Sequence, residues 1–138
     1  MATKSTKKNY IQATGRRKTA VARVRLIESK KEITVNNIPA SQYWPSSTFA
    51  SLYSEPLITT NTHKKYSATA KITGSGKQSQ LDAFIHGLSR ALVQVNPERF
   101  RPILKKKGFL TRDPRMKETR KIGSSGSKAR SKRQSPKR

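Results

Sequence analysis

The sequence predicts an α+β domain followed by a long basic arm, and three observations carry that expectation. Apolar residues alternate with polar ones over three short stretches, 20–26, 32–35 and 66–73, the period of half-buried strands. They then recur at spacings of three and four over residues 77–95, which is an amphipathic helix of about five turns. Beyond Gly108 they nearly cease while Lys and Arg accumulate.

Each element follows from its residues. Ala20, Ala22, Val24 and Leu26 form one row of the first strand, and Arg23 and Arg25 stand in the other. After the polar stretch Glu28 to Lys31, Ile33 and Val35 alternate with Glu32 and Thr34 in a second strand. That short connection predicts a hairpin between the two. Tyr43, Trp44, Phe49, Leu52, Tyr53 and Leu57 fall between Ser41 and Thr60. They read as one or two short helices packing against the sheet, and the aromatics as core or hinge packing, or as base-stacking groups. Tyr66, Ala68, Ala70 and Ile72 mark a third strand ending at Gly74.

Leu81, Phe84, Ile85, Leu88, Ala91, Leu92 and Val95 supply the stripe of the long helix. Asn96, Pro97 and Glu98 then read as N-cap, first-turn proline and an acid at the positive end of the dipole. Phe100, Ile103 and Leu104 give that last helix its apolar face, Lys105 to Lys107 sit at its negative end, and Gly108 stops it. Pro102 predicts that it is short or kinked. The chain so divides into a basic extension (1–12), a globular domain (13–108) and an extended basic arm (109–138). The arm has too few apolar side chains to offset its ordering entropy and is expected to be disordered when free.

Charge narrows the function. The 138 residues hold 31 Lys and Arg against seven acids, a net charge of +24. Fourteen of those cations and only Asp113 and Glu118 fall within 105–138, so a quarter of the chain carries half the charge. Self-repulsion on this scale opposes compaction, and a polyanion neutralises it. Nucleic acid is the foremost candidate, ahead of an anionic membrane surface or a polyacidic protein. There is no cysteine, so disulfides and thiolate metal sites are excluded. The start, MATKSTKKNY, lacks the apolar core of a secretory signal. No apolar run nears the roughly 20 residues of a membrane span. A protein working where it is made, without cofactor, metal or membrane, is the expectation.

Enzyme chemistry has little support. Gly74 to Gln78, GSGKQ, resembles the end of a phosphate-binding P-loop. However, Lys71 stands where the first glycine belongs, and Gln78 replaces the magnesium-binding hydroxyl. It reads instead as a strand-to-helix turn, where the amides of Gly76 and Lys77 could meet an RNA phosphate. His86 lies beside the apolar stripe and reads as a structural histidine before a catalytic one; His63, next to Lys64 and Lys65, reads as solvated. Gly15 precedes Arg16, Arg17 and Lys18, three cations facing different directions, as suits a curved phosphate surface. The 30 residues after Gly108 reach about 100 Å at roughly 3.3 Å each. Such an arm can thread between RNA helices.

Residues 13–26 (ATGRRKTAVARVRL), 74–92 (GSGKQSQLDAFIHGLSRAL) and 105–121 (KKKGFLTRDPRMKETRK), with the final Lys137-Arg138, resemble one family. It is the ninth protein of the small ribosomal subunit, in its bacterial and plastid form. The resemblance implies a mixed four-stranded sheet packed with helices, like the second domain of ribosomal protein S five. It also implies a structural role in the head of the small subunit, among neighbouring ribosomal proteins, in a bacterial cytoplasm or a chloroplast stroma. Carried over, Arg16, Arg17, Lys18, Gly76 and Lys77 become contacts to ribosomal RNA. So do Arg112, Arg115, Lys117, Arg120, Lys121, Lys128, Arg130, Lys132 and Arg133 of the arm. Lys137 and Arg138 would reach the peptidyl-site tRNA. Ser75 departs from the family by standing at its usual middle glycine, and Ser135-Pro136 departs from its usual ending. An architectural nucleic-acid-compacting protein is the alternative reading.

Overall fold

Ala20, Ala22, Val24 and Leu26 are buried and Arg23 and Arg25 exposed, so the alternation of the first predicted strand sorts its two faces as expected. The computed structural model describes residues 10–118. Its elements are β1 (Ile11–Arg17), β2 (Ala20–Glu28), β3 (Thr34–Val35), β4 (Ile38–Pro39), α1 (Ala40–Tyr43), α2 (Ser47–Thr59), β5 (Tyr66–Thr73), α3 (Lys77–Val95) and α4 (Pro97–Lys106). The sheet is mixed, in the order β1-β2-β5-β3-β4, with β3 parallel to β5 and every other pair antiparallel. It has five strands where four are expected, because β3 and β4 are two-residue pieces.

The expected hairpin between the 20–26 and 32–35 strands does not form. β5 lies between them, pairing with β2 on one side and with β3 on the other. Asn36 explains the choice. Its side chain donates to the Ile72 carbonyl at 3.0 Å and accepts from the Ile72 N–H at 2.9 Å, clipping β3 to β5. Asn36 and Asn37 both take positive φ, 51° and 67°, so they make the tight two-residue turn of a β3–β4 hairpin. The other hairpin is β1–β2, turned by Lys18 and Thr19 between the paired Arg17 and Ala20. β1 has no strong apolar alternation to announce it: Ile11, Ala13, Gly15 and Arg17 are its inner row.

α3 and α4 occupy the residues expected of them, 77–95 and 97–106. The Asn96 side chain accepts from the Arg99 N–H at 3.1 Å as N-cap. α4 continues through Pro102 to Lys106. Pro102 is exposed, so the Glu98 carbonyl it cannot serve faces water. α1 sits beside β3 and β4, whereas α2 packs on α3 and α4 instead of on the sheet. Trp44, Phe84, Leu81, Leu88, Leu92, Leu104, Val24 and Val35 fill the space between helices and sheet.

α3 lies unusually close to β1. A Cβ added to Gly15 would come within 1.9 Å of the Ala83 carbonyl oxygen and 2.3 Å of the Gly87 nitrogen. Both obstacles are backbone, so no rotamer change relieves them. Gly15→Ala is therefore expected to cost about 3 kcal/mol or more. Urea unfolding followed by fluorescence of Trp44, the sole tryptophan, measures it.

Candidate nucleic-acid interface

The alternation of β1 divides the basic triplet. Ala13 and Gly15 point to α3, so Arg16 projects from the opposite face and is exposed. Arg17 points to the helix side, its side chain only 15% exposed. Lys18, at φ 50°, occupies the hairpin turn and is exposed. The expectation of three divergent directions holds.

Arg17 has internal partners. Its guanidinium pairs with Asp113 at 3.0 Å and with Asp82 of α3 at 3.5 Å. It also donates to the Asp113 and Arg115 carbonyls at 3.3 and 3.1 Å. Asp113 is held again by Arg115, whose guanidinium reaches it at 2.6 Å and whose backbone N–H reaches it at 3.0 Å. These hydrogen bonds, with the Arg115 and Arg17 charges behind them, hold the Asp113 carboxyl far below the usual carboxylate range. One guanidinium thus joins β1, α3 and the first residues of the arm.

Two α3 side chains one turn apart cover part of the free edge of β1. Arg90 donates to the Thr14 carbonyl, and His86 Nδ1 accepts from the Arg16 N–H at 3.3 Å. An edge strand otherwise presents such groups for pairing. His86 is the structural histidine the sequence suggests. Burial first, then the nearby Arg90 guanidinium, push its pKa down, against a backbone hydrogen bond to Leu110. A groove of about 290 Å³ lies here, lined by Arg16, Arg17, Asp82, His86, Arg112 and Arg115 among others.

At the start of α3 the GSGKQ segment is the strand-to-helix turn expected of it. Gly74 and Ser75 take φ of 83° and 53°, and Gly76 caps α3 without a side-chain hydrogen bond. Ser75 so adopts the left-handed backbone that a glycine takes at least cost. Gly76 and Lys77 are exposed, and Lys77 Nζ sits 3.3 Å above the centre of the Tyr43 ring. Trp44 is 1% exposed, packed among Tyr43, Tyr53 and Phe84. Its Nε1 donates to the Lys77 carbonyl at 3.3 Å. Core packing is the reading of this cluster that the geometry favours over base stacking.

Arg112, Arg115 and Lys117 are exposed on the first stretch of the arm. Arg120, Lys121, Lys128, Arg130, Lys132, Arg133, Lys137 and Arg138 lie outside the described residues. The sequence reading missed Asp82, Asp113 and Arg90. For the two acids a signal existed: they are two of only seven in a chain of charge +24, so each had a cation to answer.

Among the described residues no group of three or more His, Asp or Glu could hold a metal ion, and no helix is long and apolar enough to cross a membrane. The result is a small α+β domain with cations on several sides and His86 tied into its structure. Comparison with known proteins makes that specific. Residues 15–138 match the family model described as ribosomal protein S9/S16. The small ribosomal subunit protein uS9 of Maridesulfovibrio salexigens is 46% identical over 122 residues, covering 88% of this chain and 93% of that protein. The protein of the same description from Lawsonia intracellularis is 46% identical over 119 residues, covering 86% and 89%. The chain belongs to this ribosomal protein family: it is a structural component of the small subunit, serving translation, and not an enzyme.

The lowered pKa of His86 has a consequence for stability. The unfolded chain binds a proton near the ordinary pKa of about 6.5, whereas the folded domain keeps the imidazole neutral to lower pH. Stability is complete above that value and declines as pH falls below it. His86→Gln should show a smaller loss of the unfolding midpoint between about pH 7 and 5 than the parent.

Proposed function

We propose that the chain binds small-subunit ribosomal RNA through its domain and arm, and that the end of the arm reaches the peptidyl-site tRNA. The observation that carries the RNA reading is the site around β1. Arg16, Arg112 and Arg115 are exposed beside one groove and Lys18 is exposed in the hairpin turn, while Arg17 spends its charge holding the arm's first residues in place. Arg16 and Lys18 are the domain's phosphate contacts here, and Arg17 positions residues 113–115 beside Arg16. Gly76 and Lys77 offer a further contact at the uncapped start of α3. Arg112, Arg115 and Lys117 begin the basic track. Arg120, Lys121, Lys128, Arg130, Lys132 and Arg133 continue it in sequence.

The tRNA reading rests on the family resemblance of the final Lys137-Arg138. A ribosome in a bacterial cytoplasm or a plastid is the setting, with neighbouring small-subunit proteins as further partners.

Reconstituted small subunits test both parts. The full chain should sediment with them stoichiometrically through a high-salt wash. Exchange onto any DNA or RNA, with loss at high salt, would instead support the compacting protein. A chain lacking Gln134 to Arg138 should assemble as well as the parent and weaken peptidyl-site tRNA binding. The expected loss is about 1–2 kcal/mol, for two charge-assisted phosphate contacts. Unchanged tRNA affinity contradicts the assignment of Lys137 and Arg138.

A further inference from the structure

The helix layer covers one face of the sheet and leaves the other open. On that open face the strand register sets up three rows. Arg16 stands beside Val21 and Thr73, Thr14 beside Arg23 and Lys71, and Gln12 beside Arg25 and Thr69. Arg16, Arg23, Arg25 and Lys71 are all exposed, and the neutral members of the rows are mostly hydrogen-bonding side chains.

The middle row is the informative one. Arg23 and Lys71 are direct cross-strand partners on β2 and β5. Like charges in that position repel and cost stability. Neither forms an ion pair among the described residues. Arg25 is oriented differently, with its guanidinium 4.9 Å from the centre of the Tyr10 ring. A groove of about 460 Å³ runs across this face, lined by Gln12, Arg23, Arg25, Asn37, Thr69 and Lys71 among others. A carboxylate lies at its margin: Glu32 shares the adjoining groove with Thr34 and Thr69, and it accepts from the Ser41 hydroxyl at 2.7 Å.

We infer that this open sheet face is a second RNA-docking surface, on which the sugar-phosphate backbone bridges Arg23 and Lys71. The inference rests on the RNA-binding reading above and extends it from Arg16 to Arg23, Arg25 and Lys71, which that reading does not use. A phosphate between the two cations converts a repulsive pair into two charge-assisted contacts. Arg16 and Arg25 extend the positive row to either side, and Gln12, Thr14, Thr69 and Asn37 offer neutral hydrogen bonds between them. Among the described residues the rows themselves hold no aromatic side chain, and the Tyr10 ring beside them is taken up by the Arg25 guanidinium. The face therefore suits backbone contact, which positions RNA without reading its sequence. It lies opposite α3 and α4, so an RNA held here and the helix layer are on different sides of the domain.

The test uses the full chain and naked small-subunit ribosomal RNA, with affinity measured across a salt titration. A double variant, Arg23→Gln with Lys71→Gln, is compared with a charge-matched one on α4, Lys105→Gln with Lys106→Gln. The face variant should bind on the order of tenfold more weakly. Its log-affinity against log-salt slope should be shallower by about 1–2. Its thermal midpoint should be no lower than the parent's, since a like-charge pair has been removed. The α4 variant should lose less. Equal losses in the two variants, or no loss in the face variant, overturn the inference while leaving RNA binding by the chain intact. A loss seen only when other subunit proteins are present assigns the face to a protein partner and overturns it as well. If the parent itself fails to bind this RNA, the functional reading beneath falls with it.

Discussion

The contact of Gly15 with the backbone of Ala83 and Gly87 governs the rest of the domain. Because no side chain separates them, α3 can lie flat against β1 and β2, and the core residues Phe84, Leu88 and Val24 close around that seam. The same closeness lets His86 and Arg90 reach over the edge of β1 and bond two of its outward backbone groups, the Arg16 N–H and the Thr14 carbonyl. With one face of the sheet and one edge so occupied, Arg16, Arg23, Arg25 and Lys71 can only stand on the other face. The glycine in the basic motif is therefore what separates apolar packing from cationic display.

A chain of charge +24 has few acids to spend. Two of the seven converge on Arg17, the cation that points inward. Exposed ion pairs contribute little individually, but here one guanidinium with a side chain 15% exposed meets two carboxylates and two carbonyls. The effect is positional: residues 113–115 are fastened to β1 and α3, and Arg112 and Arg115 come to lie beside the Arg16 groove. The two neighbours in the motif act differently, Arg16 facing outward from the strand and Lys18 from the turn.

Much of this was legible in the sequence where periodicity was strong. α3, α4, β5 and the outward arginines of β2 follow from apolar spacing, and the Asn96 cap from local chemistry. What escaped was set by non-local pairing. The insertion of β5 between β2 and β3 is fixed by two hydrogen bonds exchanged between Asn36 and Ile72, 36 positions apart. β1 escaped because its inner row includes Gly15, whose value lies in having no side chain, and Arg17. The Asn36-Asn37 turn was a readable hairpin signal that the apolar pattern masked. Of the site, the basic positions were legible, but Arg17's partners were not, since Asp82 and Asp113 lie 65 and 96 residues from it.

The central claim is that the domain packs with one side and binds RNA with the other. The most direct measurement is a structure of this chain within its assembled small subunit. The account predicts phosphates on Arg16, Lys18 and the open face of the sheet, with Arg17 still paired to Asp82 and Asp113 and with α2 and α4 turned away from the RNA. RNA lying against α2 and α4, with the sheet face bare and Arg17 released onto a phosphate, would contradict it.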